Sequence, residues 1–125
     1  MNEHKMLLYG TESLIAMNPT AINIHRVEYS DDGSGGRQMT ETDIPSFLAR
    51  LVPTGNMDKA RMVEAGISAN ATWVLITLPD ADIMAGSDVE DTFEADGHKF
   101  KVVSVKMRKY GSKAYAKHAE LEMIS

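Results

Sequence analysis

The chain has 125 residues, 43% of them hydrophobic and 25% charged, with a net charge of −5 and no cysteine. The missing cysteine excludes disulfides, thiolate chemistry and cysteine-ligated zinc or iron–sulfur sites, and the net acidity argues against a general nucleic-acid binder, which needs an excess of Lys and Arg to neutralise phosphates. The length is that of one domain, residues 1–125, able to bury roughly two-thirds of its unfolded surface. No apolar run approaches the ~20 residues that cross a bilayer, and Met1-Asn2-Glu3-His4-Lys5 leads into no long apolar segment, so a cytosolic protein without a membrane anchor is expected.

In chain order, residues 6–17 carry apolar positions at helical spacings, with Thr11 or Ser13 as caps and Asn18-Pro19 as a stop. They predict an N-terminal helix or arm (about 1–18), interrupted or weakened at Gly10. Thr20 to Tyr29 is rich in β-formers and reads as a strand. Asp31-Asp32-Gly33-Ser34-Gly35-Gly36 has almost no side-chain bulk and reads as a flexible loop.

Residues 44–53 read as a second strand with Phe47, Ala49 and Leu51 on one face, and the prolines at both ends, Pro45 and Pro53, make it short or place it at an edge. Thr54 to Ala71 reads equally as a short helix, capped by Asn56 or Asp58 and ended by Gly66, or as an irregular loop. Thr72 to Leu78 is the strongest strand, near-continuously apolar and so expected to be buried on both faces. Asp88 to Glu94, Lys99 to Lys106 and Tyr115 to Ile124 are each of strand length. The last alternates Ala119, Leu121 and Met123 against His118, Glu120 and Glu122. Asp96-Gly97, between the first two of these, suits a type I′ turn, whose central residues both need positive φ. The expected fold is mainly β, a small antiparallel β-barrel or sandwich with long loops and one or two short helices.

Few residue patterns point to a reaction. His4, His25, His98 and His118 have no metal-ligand spacing. Asp80 to Asp91 places acids as a calcium loop would at its first, third, ninth and twelfth positions, but Met84 occupies the fifth, glycine falls at the seventh instead of the sixth, and Asp91 replaces the bidentate Glu. Gly33 to Gly36 lacks the Gly-Lys-Ser/Thr ending of a phosphate loop, and no serine sits in a Gly-x-Ser-x-Gly elbow. No cofactor, metal site or catalytic residue is expected, and the chain reads as a non-enzyme.

Charge carries more information. From Asp80 to Asp96 every charged residue is acidic, and from Lys99 to Lys117 every one is basic. Segregation of this kind on a β scaffold suggests a surface that meets another protein. Arg108-Lys109-Tyr110 and Lys113-Ala114-Tyr115 also interleave basic and aromatic residues, as single-stranded nucleic-acid binders do. An oligonucleotide-binding small β-barrel using the Lys99–Lys117 block is therefore the alternative.

The features from Thr72 onward resemble the head-completion (stopper or head-to-tail joining) proteins of tailed bacteriophages and PBSX-like prophages. The resemblance rests on Leu75-Ile76-Thr77-Leu78-Pro79, Asp82-Ile83, Gly86-Ser87-Asp88 leading into Val89 to Phe93, the Asp96-Gly97 turn, Phe100 to Val105, and Leu121-Glu122-Met123-Ile124. Ser87 interrupts the family's Gly-Asp step, and Phe100 stands where tyrosine is common. The resemblance implies a structural protein docking in a ring between portal complex and tail, with portal or adaptor and tail-completion proteins as partners, DNA only as passing cargo, and no membrane. Its location would be the host cytoplasm during assembly and then the virion or phage-like particle. On that reading an acidic face (Asp82, Asp88, Glu90, Asp91) meets a basic face of a neighbour (Lys106, Arg108, Lys109, Lys113), and Gly33, Gly35, Gly36, Met57 and Met62 lie in channel or assembly loops.

Overall fold

A computed structural model of the chain describes residues 2–54 and 73–125. The described residues form one helix, α1 (Glu3–Met17), and eight strands: β1 (Thr20–Ile22), β2 (His25–Asp31), β3 (Arg37–Asp43), β4 (Phe47–Pro53), β5 (Trp73–Thr77), β6 (Val89–Ala95), β7 (His98–Tyr110) and β8 (Lys113–Met123). The expected mainly β, antiparallel fold is the one observed. The strand order is β1-β4-β5-β8-β7-β6-β2-β3, and every pairing is antiparallel. Only Asn23 and Ile24 separate β1 from β2, yet these strands lie near opposite ends of the order. The sheet must therefore curl until its two ends are joined by one bent segment of chain. What reads in sequence as a single strand over Thr20–Tyr29 is this bend, with one half pairing β4 and the other β6.

The curl encloses the core. Ile22, Ile24, Ala49, Leu51, Leu75, Phe93, Phe100, Val102, Ala119 and Leu121 supply it from the strands, and Ile83 from the segment between β5 and β6. Phe100 is fully buried, with Trp73 edge-on at 5.3 Å and Phe93 tilted at 5.4 Å between ring centroids. Helix α1 lies across β8, β5 and β4 and buries Ile15 and Thr11. Its cap is Asn2, whose side chain accepts from the Lys5 amide at 2.8 Å. Thr11, expected as a cap, is instead mid-helix and donates its hydroxyl to the Leu7 carbonyl. The helix runs through Gly10 and stops at Asn18, before Pro19.

Two local features were not legible in full. Strand β3 was not legible, because all seven of its residues are exposed and none marks an apolar face. The expected loop at Gly33 to Gly36 is observed and joins β2 to β3 as a hydrogen-bonded turn. The Asp31 carboxylate accepts from Gly33 N–H, and the Asp32 carboxylate accepts from the Ser34 and Gly36 amides at 2.8 and 3.0 Å. Asp96 (φ 52°) and Gly97 (φ 79°) do adopt the positive φ of the expected turn. Strand β4 pairs β1 through residues 47–49 and β5 through residues 50–53, so Pro53, with no N–H to donate, lies beyond the reach of β1. Met57, Met62 and the whole of 55–72 lie outside the described residues. Among those described, no helix is long and apolar enough to cross a membrane.

Candidate functional site

The period-two burial that places Ile22 and Ile24 inside carries on to Arg26, which is 5% exposed. A buried guanidinium needs a buried partner. Asp91, fully buried on β6, supplies it: Arg26 Nε donates to Oδ1 at 2.8 Å and Nη2 to Oδ2 at 3.0 Å. Asp91 Oδ2 also accepts the Met84 amide at 2.7 Å, and Asp82 Oδ1 lies 2.8 Å from the Arg26 Nη2. The carboxylates hold the Arg26 guanidinium well above its ordinary pKa, Asp91 most of all. The connection between β5 and β6 is thus fastened to β2 and β6, and Lys117 Nζ, donating to the Ala81 carbonyl at 2.7 Å, fastens it to β8.

This geometry corrects the expected acidic face. Asp91 belongs to the interior and cannot face a neighbour. Asp82 is half-exposed but ion-paired to Arg26, while Asp88 is exposed and 3.2 Å from Arg37, whose guanidinium stacks on Tyr29. Glu90 is partly buried. Glu120, expected to point outward from β8, is also buried, accepting from the Ser104 hydroxyl at 2.9 Å with Lys106 Nζ at 3.5 Å.

The basic residues come together on an arm. Strand β7 pairs with β6 only from His98 to Lys101, and β8 pairs with β5 only from Lys117 to Leu121, so the hairpin carrying Lys106, Arg108, Lys109 and Lys113 extends past both neighbours. Lys106, Lys109, Lys113 and Tyr110 are exposed along it, and Arg108 is partly buried. The segment read as an interleaved connection is therefore two strand ends joined at Gly111-Ser112. A second arm is the β2–β3 hairpin, since β2 pairs with β6 only from His25 to Glu28. Its exposed charges are mainly acidic: Glu28, Asp31, Asp32, Glu41 and Asp43 against Arg37. Both β2 and β7 run antiparallel to β6, so both arms extend in the same direction.

An apolar groove of about 620 Å³ opens between the C-terminal half of α1, the β3–β4 link and the start of the β5–β6 connection. Ile15, Ile44, Phe47, Leu48, Leu78 and Ala81 line it, and Glu12, Asp80 and Asp82 give it an acidic rim. Leu48 is 58% exposed at its mouth. Sequence reasoning missed this groove because its walls come from three distant segments. Arg26, by contrast, was legible in principle from its parity with Ile22 and Ile24.

Neither a protein-family model nor a curated protein matches this chain.

Two histidines respond to protons in opposite senses. Burial, aided by the charge of Arg108, holds His118 below its ordinary pKa of 6.5, and its Nδ1 has no hydrogen-bond partner among the described residues. The hydrogen bond to Asp43 at 2.9 Å, with Glu41 beside it, raises His25 above 6.5. For His118 the unfolded chain takes up its proton first, so stability is lost as pH falls from about 6.5 through the lowered value; for His25 the folded chain takes up its proton first, so stability is gained as pH falls through the raised value to about 6.5. His118→Gln is expected to flatten the fall in Tm below about pH 6.5, and His25→Gln to remove a gain in Tm on acidification above about pH 6.5, as thermal unfolding across about pH 5 to 8 would read. Asp91→Asn, which strands a buried guanidinium, is expected to cost about 3–5 kcal/mol in urea unfolding, and Arg26→Met with Asp91→Leu to recover only part of that loss, because the Met84 amide still lacks its acceptor. Asp82→Asn is expected to cost under about 1 kcal/mol, because water screens that exposed carboxylate.

Proposed function

We propose that this chain is a structural, non-enzymatic head-to-tail connector, a stopper or head-completion protein that docks in a ring between the portal complex and the tail of a phage or prophage particle. The observation that supports this reading best is the division of charge between two arms of one small barrel, an acidic β2–β3 hairpin and a basic β7–β8 hairpin extending in the same direction. Surfaces of opposite sign at different places on one chain suit a heterologous interface, which closes into a ring when repeated around an axis. Complementary charge sets the register and encounter rate of such an interface. The pattern from Leu75 to Ile124 supplies the particular assignment, through its likeness to connector proteins. Portal or adaptor and tail-completion proteins are then the neighbours, and the host cytoplasm followed by the particle is the location.

The deciding test is the genomic neighbourhood of the coding sequence. Portal, capsid and tail-tube genes on either side are expected, and metabolic or nucleic-acid-processing neighbours would overturn the proposal. The exposed Tyr110 between Lys109 and Lys113 favours the oligonucleotide-binding reading as the rival. Tight binding of oligothymidylate that weakens steeply with added salt would favour that rival. Replacing Lys109 and Lys113 by glutamate is expected to abolish self-association in sedimentation at low salt while leaving the thermal unfolding of the monomer nearly unchanged, because these side chains stand exposed on the arm.

A further inference from the structure

We infer that the apolar groove beneath the C-terminal half of α1 is the acceptor for the basic β7–β8 hairpin tip of a second copy of this chain. The inference rests on the reading that copies assemble, and it deepens that reading by naming the two surfaces that meet. The groove has an apolar floor and an acidic rim of Glu12, Asp80 and Asp82. The arm has the complementary composition, with exposed Tyr110 and Met107 set among Lys106, Lys109 and Lys113. An aromatic anchor seated in an apolar pocket, with charges paired around it, is the form that energetically dominant contacts take.

Reach excludes the chain's own arm. His4 Nε2, near the start of α1, donates to the Ala114 carbonyl beside the hairpin tip at 2.7 Å, whereas Glu12, Ile15 and Ala16, near the end of the same helix, line the groove. About 16 Å of helix axis separates His4 from Ile15, at ~1.5 Å per residue. The helix thus acts as a spacer holding donor and acceptor apart. A donor and an acceptor fixed at separate places on one body pair between molecules, and the contact is head-to-tail.

The test places a photoreactive benzoylphenylalanine at position 110 of the full chain and irradiates a concentrated mixture of isotopically light and heavy protein. Light–heavy crosslinks from position 110 to residues 44–48 or 78–82 are expected. Leu48→Glu, on a side chain exposed enough to leave folding intact, is expected to weaken self-association by roughly tenfold or more. Asp80→Lys should weaken it similarly, and Lys109→Glu in the same chain should restore it, a rescue that a merely structural role for Asp80 would not give. Crosslinks confined to one molecule, crosslinks to another surface of the neighbour, or a chain that stays monomeric at every concentration would each overturn the inference. Assembly through another surface would leave the ring reading standing without this groove. Groove crosslinks in a chain whose gene lies among metabolic genes would keep the docking and remove the phage connector.

Discussion

The rest of the structure depends on one buried ion pair. Arg26 and Asp91 leave water together, and the cost of doing so is offset because the carboxylate takes two guanidinium N–H groups and a backbone amide in a dry setting. That amide is Met84's, so the pair also fixes the path of the connection between β5 and β6. With the connection held, Ile83 reaches the core, and Leu78, Asp80 and Ala81 become one wall of the groove. The ion pair buried inside the curled sheet thereby shapes the groove.

The same constraint sorts the acidic residues by role. Seven acids between Asp80 and Asp96 look equivalent in sequence, yet one is structural, one is half-committed to Arg26, and Asp80 is left on the rim of an apolar groove. Within the basic block, Lys106 lies 3.5 Å from the buried Glu120, while Lys109 and Lys113 stand exposed at the arm's tip. Its lysines line strands that run beyond their neighbours, and such charges on an open strand edge also discourage indiscriminate strand addition. The groove offers apolar area and opposite charge together, which is what the proposed docking of the arm would use.

How far the fold was legible follows the physics of each element. The β6–β7 hairpin was readable because Asp96-Gly97 and the alternation around Phe100 are local signals that tertiary contacts reinforce. Strand β5 was readable from its apolar run. Strand β3 was not, since a strand exposed on both faces has no hydrophobic period and exists through its register with β2. The Gly-rich segment was readable as a loop, and what the composition left unspecified is its shape, which the Asp31 and Asp32 carboxylates set by folding back onto the amides.

By itself the sequence determined the class of fold, the helix stop at Asn18-Pro19, the type I′ turn and the segregation of charge into an acidic and a basic block. These are local properties, written in side-chain period, in the φ preferences of Gly and Pro, and in the order of charges along the chain. Tertiary structure alone decided which acids are buried, that the basic block forms a projecting arm, and that segments around residues 15, 47 and 80 meet in one groove. Those outcomes depend on long-range registry, in which a strand's partners and the face it buries are fixed by residues tens of positions away.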